Sequence, residues 1–129
     1  MNDFLEKIKK LNDTPDTTKD YDLVDIDENK NYALFSYLFL LILIPIFLAK
    51  DSKYAKYHVN QGLTLCIAEV VGGLLLGLLS RIPILGVLFI IIGSIFELVA
   101  VLLAVIGILN VLNDRAKELP VIGKIRFLK

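Results

Sequence analysis

Two glutamates, Glu69 and Glu97, each stand near the middle of a long apolar run. A carboxyl held at mid-membrane depth costs on the order of 3 kcal/mol, and such residues usually face a bundle interior and mark function. No lysine or arginine lies at matching depth in any run. Two roles are open for the pair. One is structural, a neutral acid hydrogen-bonded across helices; the other is a binding site for protons or a polar solute. His58, Asn60 and Gln61 form a second constellation. Histidine titrates near physiological pH, but one histidine without cysteine or acidic ligands at metal spacing is no metal site. Neither does a paired serine or cysteine accompany it to make a nucleophile. The expected role of His58 and Gln61 is hydrogen bonding to loop or helix-end carbonyls, with Asn110 and Asn113 doing the same farther along. The acid-rich stretch 20–28 lacks the turn glycine and closing glutamate of a calcium loop. Asp25 and Glu28 instead fit a capping box that starts a helix near Ile26. With no phosphate loop and only scattered lysines, neither nucleotide nor nucleic acid is an expected ligand. No catalytic residue, metal or cofactor is expected, and the chain does not read as an enzyme.

Apolar residues make up 56% of the 129-residue chain. They concentrate in runs at 32–49, 62–79 and 82–112. A run of about 18 or more such residues is long enough to span a bilayer as a helix. The expectation is an all-α polytopic membrane protein with three transmembrane helices, at about 32–49, 62–79 and 84–112, joined by short polar loops. They form a membrane domain over 26–113. Pro45 is expected to kink the first span. Ahead of this domain, 1–25 is an acidic tail, and Phe4, Leu5, Ile8 and Leu11 beside Lys7, Lys9 and Lys10 make a short amphipathic helix in it. The polar start argues against a secretory signal. After the domain, 114–129 is a basic interfacial tail. The lone cysteine, Cys66, excludes an intrachain disulfide and is expected to be a packing residue.

The formal charge is zero, but residues 1–31 hold five lysines against nine acids. The first loop (50–60) and the C-tail together carry eight Lys/Arg. Three spans and the positive-inside bias then place that loop and the C-tail in the cytoplasm, and the N-tail opposite. In the third run Gly86, Gly93, Ala100 and Gly107 repeat every seven residues, with Glu97 and Ala104 on the same face. A seam of small residues lets another helix approach closely in lipid.

One stretch is specific enough to suggest kinship. From Leu43-Ile44-Pro45 the chain runs to an aromatic-x-x-aromatic-His-x-Asn-Gln-Gly-Leu pattern, matched by Tyr54, Tyr57, His58, Asn60, Gln61, Gly62 and Leu63. The ending, Asn113 followed by Ala116-Lys117-Glu118-Leu119-Pro120-Val121-Ile122-Gly123-Lys124-Ile125, and the acidic lead-in 20–30 add to it. Over about residues 14–129 the chain resembles a small bacterial membrane family of unknown function. That family is related to the twenty-kilodalton Tic component of the chloroplast import channel. The resemblance implies a helical membrane domain without established activity, and carries over the membrane location and the loop motif. The Tic relatives have four spans where three are expected here.

Together these readings point to a non-enzymatic subunit or scaffold of a bacterial plasma-membrane complex. Its partners would be the lipid bilayer and either further copies of itself or a larger membrane protein. The alternative is a small oligomeric transporter, channel or translocation component that uses Glu69 and Glu97.

Overall fold

Residues 2–128 are described by a computed structural model, and within them every regular element is helical: α1 (Asn2–Leu11), α2 (Leu23–Phe35), α3 (Leu43–Leu48), α4 (Lys53–Leu79) and α5 (Leu85–Leu112). Short 3-10 turns occupy Thr18–Asp20 and Phe39–Ile42. Two helices, α4 and α5, are long and apolar enough to cross a membrane. At 27 and 28 residues, each is about 40 Å long, more than the ~30 Å hydrocarbon core requires. They pack side by side as an antiparallel hairpin, turning at Ser80–Ile84.

The expected first span, 32–49, is not one helix. α2 begins at Leu23, capped by Asp22, whose side chain accepts from the Val24 amide. The capping role expected of Asp25 thus belongs to the residue three positions earlier. α2 then ends at Phe35. The amides of Ser36, Tyr37 and Leu38 donate to carbonyls three residues back, which tightens the chain out of the α-helix. Phe39 takes a positive φ of 55°, and the backbone reverses. Pro45 does not kink a helix here. It lies in the first turn of α3, where a missing N–H breaks no intrahelical bond.

The returning arm, 39–48, brings Leu48 and Ala49 back beside Asp22, Asp25 and Glu28. The first apolar run is therefore a re-entrant hairpin, with both its ends at the same end of the molecule.

α5 finishes in a Schellman turn. Asp114 occupies the left-handed position (φ 59°), the Arg115 amide donates to Asn110 and the Asp114 amide to Val111. Lys30 closes the same terminus, bonding the Leu112 carbonyl at 3.2 Å and the Asp114 carboxylate at 2.9 Å. A cation is favoured at this negative end of the helix dipole.

The C-tail then folds back over the start of α4. The N-tail lies along it: Thr17 donates to the Ala116 carbonyl and Glu118 to that of Pro15. The N-tail, the 50–53 connection and the C-tail share one end of the molecule. This corrects the expectation of tails on opposite sides, which assumed that the first run crosses. The result is a head, built around Ile26, Tyr37, Tyr54, Tyr57, Val111 and Leu119, from which the far halves of α4 and α5 project.

Candidate functional site

Asp25 links the elements of the head. One of its carboxylate oxygens accepts from the Ser52 hydroxyl, the other from the Tyr54 amide at 3.0 Å. Ser52 in turn caps α4, accepting from the Ala55 amide at 3.0 Å. An acid from α2 thereby sits at the positive end of α4 and satisfies amides that have no partner within that helix. Sequence reasoning gave Asp25 a local cap because a capping box is read from spacing alone. Its real partners lie 27 and 29 positions away.

The motif residues expected in a loop are helical, because α4 starts at Lys53. Tyr54, Tyr57, His58, Asn60, Gln61 and Gly62 are all buried, and their side chains or backbone grip the rest of the head. His58 is fully enclosed. Its Nε2 faces the Arg115 carbonyl at 2.9 Å, so that nitrogen carries a proton, and its Nδ1 meets the Tyr37 hydroxyl at 2.6 Å. A carbonyl only accepts, so the arrangement suits the neutral Nε2–H tautomer with Tyr37 donating to Nδ1. The rings of Tyr37, Tyr54 and Tyr57 surround it edge-on, with centroids 4.9–5.6 Å away.

Gln61 accepts from the Leu119 amide at 2.8 Å and donates to the Gly123 carbonyl at 2.9 Å. Asn60 accepts from the amides of Phe127 and Leu128 and donates to the Leu128 carbonyl. Arg126 lies over the Tyr57 ring, 5.4 Å from its centroid, and pairs with Glu118. Gly62 has the Ser36 carbonyl against it so closely that a methyl group there would overlap the oxygen. On the other flank Asn110 is paired with Asn12 at 2.7 Å. The motif is thus a clamp: one face of α4 fixes the re-entrant turn through Tyr37 and Ser36, and the C-tail through the polar side chains of Tyr54, His58, Asn60, Gln61 and Thr64.

The expectation that His58 and Gln61 bond loop or helix-end carbonyls holds, at Arg115 and Gly123, but Tyr37 was not singled out as a partner of His58. Nothing in the local spacing joins positions 37, 58 and 115. Ser52 was also missed, because 50–60 was read as a loop; its signal is a capping residue type just ahead of a helix.

The small-residue seam of α5 faces inward. Gly86 lies against the Ser80 carbonyl, Gly93 opposite Leu76, and Gly107 under the Tyr37 ring. Ala100 is buried and Ala104 packs on the head core. These residues let α4 and the re-entrant turn approach α5 within one chain. Glu69 is half-buried and Glu97 exposed on the hairpin, and Phe96, the neighbour of Glu97, lines the same pocket as Glu69. No group of three or more His, Cys, Asp or Glu gathers at metal-binding distance among the described residues.

Outside the helical hairpin, Asp16 is the group whose surroundings matter for the head. Burial alone would raise its pKa. The hydroxyl and amide of Thr18, then the charges of Arg115 and Lys117, outweigh burial and hold it below the usual carboxylate value.

A sequence model of the magnetosome magnetite crystal formation family (MamF/MmsF) matches residues 28–128. The chain belongs to that family. This corrects the resemblance read from the motif: the family is the magnetosome one, not the Tic-related one, and nothing found supports a relation to the import channel. No curated protein and no solved structure matches the chain. The MamF/MmsF match takes in the re-entrant hairpin, the clamp, α4, α5 and the C-tail, and leaves out α1 and the N-tail. The clamp residues of α4 therefore lie inside the part of the chain that carries the family.

Proposed function

We propose that this chain is a non-enzymatic scaffold of the magnetosome membrane that contributes to magnetite crystal formation by assembling within the bilayer. The observation that carries this reading is where the polar chemistry lies. His58, Asn60, Gln61 and Asp25 each have partners inside the chain, so they act in holding the head on the hairpin. A scaffold needs that rigidity, and the family match supplies the setting.

Arg81 is the lysine or arginine at the far turn of the hairpin, and the other cations lie on the head side. The positive-inside bias then favours a cytoplasmic head, with α4 and α5 crossing the membrane and Ser80–Ile84 on the luminal side. Association with further copies or a larger membrane protein would use the lipid-exposed faces of α4 and α5.

The test is replacement of the native chain in a magnetite-forming cell by a Glu97→Gln variant and, separately, its deletion. Deletion is expected to alter the crystal-size distribution seen by electron microscopy, and Glu97→Gln to leave it near normal. Unaltered crystals after deletion would sink the reading. Two carboxyls on the apolar hairpin, Glu69 and Glu97, favour a second reading, an oligomeric transporter of protons or a polar solute. In that case Glu97→Gln alone should reproduce the deletion.

A further inference from the structure

The re-entrant hairpin gives the molecule different widths at its two ends. Ser36, Phe39, Gly62, Cys66 and Glu69 line one small pocket, so the tip of the hairpin stands level with the Glu69 region of α4. From Glu69 to Leu79, the end of α4, is about 15 Å of helix, half of a ~30 Å hydrocarbon core. From Glu97 back to Leu85, the start of α5, is about 18 Å by the same rise per residue. The tip therefore stops near the middle of any bilayer that α4 and α5 cross.

The head-side half holds α2, the returning arm 39–48, α4, α5 and the C-tail, whose Val121 and Ile122 line a pocket with Glu69 and Phe96. The far half holds α4 and α5 alone. The arm is apolar where it faces outward. Leu40, Phe47 and Leu48 are each more than 60% exposed, and Leu41 and Leu43 about half. The arm packs on α4, the helix whose far half shows apolar side chains to lipid, so acyl chains cover this surface too.

α1 adds to the same side. Ile8 packs on the head core and Asn12 is tied to Asn110, while Phe4, Leu5 and Leu11 stay exposed beside Lys7, Lys9 and Lys10. An amphipathic helix of this kind inserts at the headgroup level, in a manner sensitive to curvature and to anionic lipid.

The geometry points to a leaflet-asymmetric wedge: the re-entrant hairpin and α1 enlarge the protein in the head-side leaflet only, so the chain binds preferentially to membranes whose convex face carries the head. A bilayer leaflet on the convex side is stretched and accommodates the extra cross-section, whereas a flat one must be compressed to admit it. The ligand is a lipid surface of high curvature. The inference does not rest on the scaffold reading and holds whichever compartment the head faces.

The test is delivery of the detergent-solubilised full chain into a mixture of small sonicated and large extruded vesicles. Both have the same anionic-lipid content and carry different dyes, and the readout is protein density per lipid on each. The expected result is several-fold higher density on the small vesicles, with terminal tags at both ends of the chain removed together by external protease. Equal density on the two sizes overturns the wedge. Tags on opposite sides of the bilayer overturn the re-entrant placement beneath it. A triple variant, Leu40→Ser, Leu43→Ser and Phe47→Ser, alters exposed side chains and leaves the clamp intact. With helix content unchanged by circular dichroism, it should lose most of the size preference; full retention would overturn the assignment of the wedge to the arm. None of these readouts involves magnetite, so failure here and failure of the scaffold reading are separable.

Discussion

The head and the far half of the hairpin are built from the same two helices by different physics. Along the first turns of α4, from Tyr54 to Leu65, most side chains are buried, and His58, Asn60 and Gln61 are matched to particular backbone groups of the C-tail. Beyond Glu69 the same helix shows Val70, Val71, Leu74, Leu75 and Leu78 to its surroundings. α4 and α5 there touch closely where the Phe96 ring lies on Gly72, while Gly73, Gly77 and Gly93 border an open groove, with lipid as the other neighbour. In the head a polar group that loses its partner is left in a dry interior and costs its full desolvation. In the hairpin an apolar side chain exchanges one apolar neighbour for another, so substitutions are cheap. Specific structure resides in the head, and tolerance in the hairpin.

The sharpest way to break this comparison is Gln61→Leu. It leaves the Leu119 amide buried without a partner and the Gly123 carbonyl with Arg126 alone, and the expected loss is about 3 kcal/mol. Release of the C-tail, read as faster trypsin cleavage at Lys117 and Lys124 in detergent, is the signature; an unchanged rate would mean that the tail docks by apolar contact alone. Gly62→Ala comes next. The added methyl meets a backbone oxygen that cannot rotate away, and a loss of about 3 kcal/mol is expected in denaturant unfolding followed by circular dichroism. Asp25→Ala should cost about 2 kcal/mol, by removing a charge-assisted cap from α4. Cysteine-labelling of an Ala49→Cys probe, buried while the arm is docked, in a Cys66→Ala background should then report the re-entrant arm detaching.

Gly77→Ala sharpens the contrast from the other side. Nothing lies within 4 Å of a methyl group built there, and alanine is the better helix former by about 1 kcal/mol. The unfolding midpoint should stay level or rise, and a clear drop would show that the hairpin packs more tightly than described. The smallest effect concerns pH. The folded-state pKa of Asp16 is depressed, so its contribution is present above the unfolded value, near 3.8, and is lost as pH falls through the lower folded value. Amide exchange at Thr17 and Glu118 should quicken only in that acid range. Acceleration already near neutrality would assign the tail contact to another group.

Much of the fold can be read from residue types. The long apolar runs announce α4 and α5, and the spacing of Phe4, Leu5, Ile8 and Leu11 announces α1; the start of α4 at Lys53 was hidden in a stretch read as a loop. The candidate residues of the motif were also visible, since a buried-looking His-x-Asn-Gln-Gly cluster ahead of an apolar run invites explanation. Their partners were not. Asn60 reaches Leu128 and Gln61 reaches Leu119 across more than fifty positions, and no local pattern encodes such pairs. The seam of Gly86, Gly93, Ala100 and Gly107 was visible as a packing face, but periodicity cannot say whether the approaching element comes from the same chain or another.

The sequence by itself determined a helical membrane protein with apolar runs of spanning length, read as three spans, because burying backbone amides in lipid leaves a run of that length little choice but helix. That only two of them are single long helices was seen in the structure. Whether the run 32–49 crosses the bilayer or turns back inside it was decided only in three dimensions. Its length permits either path. The Asp25 carboxylate on Ser52 and Tyr54, the Tyr37 hydroxyl on His58, and the bare backbone at Gly62 against Ser36 hold it in the second. Each of these contacts exists only once α2, α4 and the C-tail have come together.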